Sequence, residues 1–297
     1  MNEVIADGSA SGVAEFYDRE YNPRLRIPDF NEYFRRWAIE SRAAREDLAC
    51  RLDLAYGPTA AERLDLFSGH GSGAHPLIMF LHGGYWRALD KSDFSWIARP
   101  YVARGISVAV VNYGLMPAVP LGSIVAQIRR ACAWLFVNAE LLGLDPRRIV
   151  GVGHSAGAHL LAMMLTSDWP SVDPRLPRRL FHAALGVSGL FDLEPLTRAP
   201  FLKDAMALAQ GDVEALSPVH LRPLDPAPIW IAVGADETRE FHRQARALES
   251  AWGAPAVAGV IEVPGSHHFS VCEALKREDD PLAAMLVKAC IKPSVPV

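Results

Sequence analysis

The sequence predicts an α/β fold, an eight-stranded and mostly parallel sheet with helices on both faces, and three observations carry that prediction. Residues 77–81, 106–111, 148–152, 182–187, 229–233 and 259–263 are short, almost continuously apolar runs, as expected of strands covered on both faces. Helical stretches lie between most of them, at 94–104, 123–142, 156–167 and 240–252, which argues for right-handed crossovers and a parallel sheet. Ahead of them, residues 50–56 and 63–67 alternate polar and apolar side chains around Gly57-Pro58, the pattern of an antiparallel pair at a sheet edge.

The remaining elements follow in chain order. Residues 1–12 are small and polar and are expected to be loose. Residues 15–28 mix aromatic and basic side chains without a period and read as an ordered loop packed on the body. Residues 29–47 read as a helix with Phe30, Phe34, Trp37 and Ile39 on one face. After the last strand, 270–276 and 282–291 read as closing helices. The long, proline-rich stretch 190–228, with a helix near 201–210, has the size of a cap-like insertion over a site. No repeat or linker divides the chain, so 1–297 reads as a single domain, with 1–48 packing on its body and 190–228 as a small cap.

Bulk properties narrow the function. A net charge of -4 gives no reason to expect nucleic acid or an anionic membrane as partner. Cys50, Cys132, Cys272 and Cys290 are widely spaced and match no metal or disulfide framework, as expected of reduced cysteines. The start of the chain lacks the basic and apolar regions of a signal peptide, and no run is long enough to span a membrane. A soluble, cytoplasmic protein is the expectation.

The chemistry centres on Gly153-His154-Ser155-Ala156-Gly157, a G-x-S-x-G between the strand at 148–152 and the helix that follows. A sharp turn there lifts the Ser155 hydroxyl clear of the sheet, and the helix aims its free amides at any anion formed beside it. A serine hydroxyl needs a base, the base an orienting acid, and the oxyanion fixed donors. After the last strand, Ser266-His267-His268-Phe269 supplies the base. His268 is favoured, because Phe269 can anchor it, with His267 as the rival. After the preceding strand, Gly234-Ala235-Asp236-Glu237 supplies the acid. Asp236 is the first choice, Glu237 the near rival and Asp192 a weaker third. The order Ser155, Asp236, His268 is that of an α/β-hydrolase fold. Oxyanion donors are expected from the Ala156 amide and from Leu81-His82-Gly83-Gly84-Tyr85-Trp86, with Gly84 and Tyr85 preferred and Gly83 next. His82 is expected to brace that loop. Tyr85 and Trp86 are the candidate substrate-binding residues, with core packing the competing role for Trp86.

The H-G-G-x-W element at 82–86 together with G-H-S-A-G at 153–157 resembles the kynurenine formamidase (arylformamidase) branch of the α/β-hydrolases, close to the hormone-sensitive-lipase-like esterases. Residues 112–117, the run Glu240-Phe241-His242-Arg243-Gln244 and the pair His268-Phe269 add to the resemblance, which covers most of residues 60–290. It implies catalytic roles for Ser155, Asp236 and His268. The spacing from Asp236 to Glu240-Phe241 is one residue longer than the family pattern, which keeps Glu237 in play.

The function expected is therefore a serine hydrolase that cleaves an aryl formamide like N-formylkynurenine, or a small ester, through an acyl- or formyl-enzyme. A general short-chain carboxylesterase is the alternative, and a non-catalytic ligand receptor the remote one. No cofactor is expected. His154 and His159 diverge on a helix, so no metal site is expected either. The partner is a small-molecule substrate, with a homodimer left open.

Overall fold

A computed structural model describes residues 10–206, 208, 210–277 and 279–291. The first nine residues, for which looseness is expected, lie outside the described residues. Eight strands form one sheet: β1 (Cys50–Ala55), β2 (Arg63–Phe67), β3 (His75–Leu81), β4 (Ser107–Val111), β5 (Leu144–His154), β6 (Ala183–Val187), β7 (Ile229–Gly234) and β8 (Val257–Val263). Their order is β1-β2-β4-β3-β5-β6-β7-β8, with β2 antiparallel to both β1 and β4 and the other neighbours parallel.

The apolar runs work because side chains alternate across a pleated strand. Along β3, Leu77, Met79 and Leu81 enter the core on one face of the sheet, while Ile78 and Phe80 enter the core on the other. Helices Leu121–Val137, Ala156–Leu165 and Arg239–Trp252 cover the first face. Helices Phe30–Asp47 and Pro281–Ile291 cover the second, where Trp37, Phe94 and Trp96 pack together. No helix of the described residues is long and apolar enough to cross a membrane.

Strand β3 lies between β4 and β5, so the chain leaves it toward one edge and later returns to build the other side. Loops at the carboxyl ends of neighbouring strands part at such a switch point and leave a crevice. The segments after β3 and β5 face each other across it.

Local expectations differ in four places. Residues 10–12 are not loose and 15–28 are not a loop: helices Ala10–Tyr21 and Pro23–Arg26 occupy that stretch, the second opened by a proline in its first turn, where the missing N–H costs nothing. Residues 94–104 form no continuous helix; short 3₁₀ turns at Lys91–Asp93 and Ser95–Ala98 precede helix Arg99–Val102, which Pro100 restarts. Near 201–210, two helices stand in place of one, Pro200–Met206 and Gln210–Leu216. In helix Phe30–Asp47, Ile39 lies on the solvent side at 59% exposure, and the buried line runs through Trp37, Ser41 and Ala44.

Candidate active site

Strand β5 ends at His154, and helix Ala156–Leu165 starts two residues later. Ser155, between them, has φ 54°, a left-handed conformation that the surroundings must hold in place. They do so through its amide, which donates to the Val187 carbonyl at 2.8 Å, and its own carbonyl, which accepts from the Ala158 amide at 2.9 Å. The turn is also tight against β3. A Cβ on Gly157 would come within 2.0 Å of the Leu81 carbonyl oxygen, so only glycine fits there.

The Ser155 hydroxyl lies 3.2 Å from Nε2 of His268, and Nδ1 of His268 lies 2.7 Å from Oε2 of Glu237. The carboxylate can only accept, so Nδ1 carries the proton and Nε2 offers its lone pair to the hydroxyl. The other oxygen of Glu237 accepts from the Gly234 amide at 2.8 Å and from the Ser188 hydroxyl. Burial alone would push this carboxyl up. The charge of His268 and the hydrogen bonds from His268, Ser188 and Gly234 outweigh it and hold the group below the ordinary carboxylate value.

The imidazole's partner is therefore Glu237 and not Asp236. Asp236 is exposed, and its amide donates to the Ser266 carbonyl at 3.0 Å. In the tight turn after β7 the Asp236 side chain stays exposed, while Glu237 reaches the histidine, with its amide bonded to the Gly234 carbonyl. Asp192 instead pairs with Arg243 at 3.0 Å. His267, the rival base, turns away from the serine: its Nδ1 accepts from the Phe269 and Ser270 amides, and its Nε2 meets the Tyr33 hydroxyl at 3.1 Å.

Two further histidines brace the site. Nε2 of His154 donates to the His268 carbonyl at 2.9 Å, tying the end of β5 to the histidine loop. Burial and the neighbouring His268 push its imidazole down to about 3, so it stays neutral. His159 donates to the Leu216 carbonyl at 2.7 Å, and burial pushes it down to about 4. Both are committed to carbonyls rather than to a metal.

The loop after β3 lies against the serine. Gly83 faces it so closely that a Cβ there would sit 3.1 Å from the Ser155 Cβ. Gly84 and Tyr85 take φ values of 112° and 51°, which turn the chain sharply over the serine. Among the described residues, none accepts a hydrogen bond from the Gly84, Tyr85 or Ala156 amide. His82 braces the loop by donating from Nδ1 to the Gly83 carbonyl at 2.7 Å, and Tyr113 stacks on its ring and donates to its carbonyl.

A cavity of about 220 Å3 opens over Ser155 and His268. Its aromatic wall comes from Phe34, Trp37, Tyr85, Phe201 and Phe269. Tyr85 lies where the sequence expects it. Trp86 does not: it is wholly buried in the core against His159, 4.9 Å between ring centres, so its expected role in substrate binding is corrected to packing. Asn22, Pro23 and Arg24 form another part of the wall, and the structure shows how they are held. The Tyr85 hydroxyl donates to the Tyr21 carbonyl, the Tyr21 hydroxyl donates to Glu240 at 2.8 Å, and the Thr238 hydroxyl donates to the Glu20 carbonyl at 2.6 Å. The sequence reading missed these residues, along with Ser188, Arg87 and Phe201. The aromatic side chains at Tyr17 and Tyr21 were the available signal for a buried N-terminal anchor.

A kynurenine formamidase of Salmo salar is 31% identical over 250 residues, covering 80% of this chain and 81% of that protein. The chain belongs to the kynurenine formamidase family of α/β-hydrolases. A Danio rerio kynurenine formamidase is also 31% identical, over 82% of the chain and 83% of its own length. The BD-FAE family model matches residues 64–193, from β2 to just past β6. A solved structure from Silicibacter sp., described as a candidate thioesterase, is 33% identical and superposes with a TM-score of 0.81 over 91% of this chain and 98% of its own. The chain thus belongs to a family of hydrolases.

Proposed function

We propose that this member of the kynurenine formamidase family hydrolyses an aryl formamide of the N-formylkynurenine type, with Ser155 as nucleophile, His268 as base and Glu237 as orienting acid. The observation that carries the reading is the hydrogen-bonded line from Ser155 through His268 to Glu237 at the floor of an aromatic cavity. In this mechanism Nε2 of His268 takes the serine proton as Oγ attacks the formyl carbon. The negative oxygen forms against the amides of Gly84, Tyr85 and Ala156, with Gly83 packed alongside. The C–N bond then breaks, the imidazolium returns its proton to the aryl nitrogen, and the free arylamine leaves. Water, deprotonated by the same imidazole, releases the formyl group as formate and restores Ser155.

The leaving group supports this substrate class. An arylamine is a much weaker base than an alkylamine, and a formyl carbon bearing only hydrogen is open to attack, so one set of groups serves aryl formamides and short esters. The cavity of about 220 Å3 favours a small acyl group. Phe201, contributed by helix Pro200–Met206, suits residues 190–228 to the part of a cap. Likeness to the Silicibacter protein supports ester or thioester hydrolysis as a second reading.

The test compares kcat/KM for N-formylkynurenine with that for short and long p-nitrophenyl esters. Efficient deformylation, at least equal to acetate hydrolysis, supports the proposal. Rapid cleavage of acetate or butyrate with no deformylation leaves only the esterase reading.

A further inference from the structure

Two arginines line the cavity that holds Ser155 and His268, and among the described residues no aspartate or glutamate lines it. Elsewhere Arg36 is paired with Glu273, Arg99 with Asp47, Arg130 with Glu62 and Arg243 with Glu240 and Asp192, whereas Arg51 and Arg129 bond to a carbonyl and a hydroxyl away from this cavity. Among the described residues, neither Arg24 nor Arg87 has a carboxylate partner.

Both guanidinium groups are nonetheless held by neutral contacts. Arg87 donates from one terminal nitrogen to the Phe201 carbonyl at 2.7 Å and lies 5.6 Å from the centre of the Phe201 ring. Arg24 lies over Phe30 at 5.1 Å and over Phe34 at 5.7 Å. Such contacts orient a guanidinium while leaving its charge uncompensated and most of its donors open. The two charges also feel each other: partial burial and then the charge of Arg24 hold Arg87 below the ordinary arginine value. A chain of net charge -4 therefore keeps two like charges together at one cavity, at an electrostatic cost that a bound anion would remove.

We propose that Arg24 and Arg87 form a carboxylate-binding subsite, which selects acyl substrates that carry a carboxylate away from the scissile bond. The subsite rests on Ser155 and His268 being the hydrolytic centre, but not on the bond cleaved being a formamide. Arg24 comes from the short helix Pro23–Arg26 and Arg87 from the loop after β3, so the carboxylate would bridge the N-terminal arm and the loop that carries the oxyanion amides. Binding there orients the reacting carbonyl by its far end, which uses remote binding energy for positioning. A substrate of the N-formylkynurenine type meets the requirement, since its amino-acid end carries a carboxylate beyond the aryl ketone.

The experiment uses two matched pairs on the full chain. One is 4-(2-formamidophenyl)-4-oxobutanoate with its primary amide; the other is 3-(4-acetoxyphenyl)propanoate with its primary amide. Within each pair only the charge at the far end differs. The parent enzyme should favour the carboxylate in kcat/KM by on the order of tenfold or more at low ionic strength, the range of a charge-assisted hydrogen bond, and the preference should shrink as salt is added. Arg24→Gln and Arg87→Gln should each move the ratio toward one, mainly through KM, and Arg87→Lys should retain part of the preference. A parent ratio of one or less in every pair that turns over, or a ratio untouched by both glutamine variants, overturns the subsite. If the acetoxy pair shows the charge preference while neither formamide is cleaved, the formamidase reading fails and the subsite stands. Should Arg87→Gln melt at a lower temperature through loss of its bond to Phe201, the exposed Arg24→Gln variant still decides the question.

Discussion

Glu237→Gln is a near-isosteric change whose effect can be worked out atom by atom. The oxygen Oε1 accepts from the Gly234 amide at 2.8 Å and from the Ser188 hydroxyl. The backbone N–H is an obligatory donor, so the carbonyl oxygen of a glutamine must occupy that position and its NH2 must take the place of Oε2. Oε2 is the atom 2.7 Å from Nδ1 of His268. An NH2 there can only donate, so Nδ1 becomes an acceptor and the ring proton moves to Nε2. Nε2 then points a hydrogen at Ser155 Oγ, 3.2 Å away, and can no longer take the serine's proton. The wrong tautomer in a serine protease triad costs about 10⁴ in kcat, and the double anchoring of Oε1 predicts a loss on the order of 10³ to 10⁴ here. Asp236→Asn, at an exposed position, should change kcat by less than about twofold, within the range of a neutral surface substitution. Steady-state kcat on a p-nitrophenyl acetate and on a formamide substrate, with folding checked by circular dichroism, measures both variants. A crippled Asp236→Asn beside an active Glu237→Gln would refute the assignment.

Three further outcomes follow from the structure. Ser155→Ala should abolish labelling by a fluorophosphonate probe that modifies the parent, while far-ultraviolet circular dichroism stays unchanged; persistent labelling would place the nucleophile elsewhere. Gly157→Ala puts a Cβ 2.0 Å from the Leu81 carbonyl oxygen and should cost about 3 kcal/mol or more, read from the urea midpoint; a midpoint near the parent's would contradict the close contact at the turn. His154 and His159, held down to about 3 and about 4 against an ordinary 6.5, stay neutral in the fold but gain protons in the unfolded chain as pH falls through 6.5. Their stabilisation is complete above 6.5 and declines toward each folded value by about 1.4 kcal/mol per pH unit per histidine. Urea midpoints at pH 7, 6 and 5 should fall accordingly, with a shallower slope in His159→Gln; a flat profile would mean that these imidazoles are not shielded.

Most of the sheet and the nucleophile turn were legible in the sequence because each has a local cause. Runs such as 77–81 are apolar on both faces of a period-two chain, and only a strand between two cores needs that. G-x-S-x-G at 153–157 carries its meaning through its glycines, which a close strand–helix approach requires. Two misreadings have a common origin in geometry that spacing does not encode. Asp236 and Glu237 are adjacent acids, and which one meets His268 depends on how the turn after Gly234 rotates each side chain. Trp86 follows Tyr85, yet the left-handed backbone at 85 and 86 sends one ring to the cavity and the other into the core. The helices at 10–21 and 23–26 are not legible in the sequence because their aromatic residues bury against distant elements, including Phe241, rather than along one regular stripe. Long-range placement of that kind belongs to the folded chain.

The way residues 20–24 are fastened has a consequence for how specificity can diverge. Strands, elbow and histidine loop form a unit in which few side chains can change without loss of folding or chemistry. The stretch that supplies Asn22, Pro23 and Arg24 is tied on from outside, by the Tyr21 and Thr238 hydroxyls and by Tyr85 reaching to the Tyr21 carbonyl. An insertion or replacement between those moorings would remodel the mouth of the cavity while leaving the hydrolytic groups in place. Libraries aimed at new substrates are therefore better spent on residues 20–24 than around the serine.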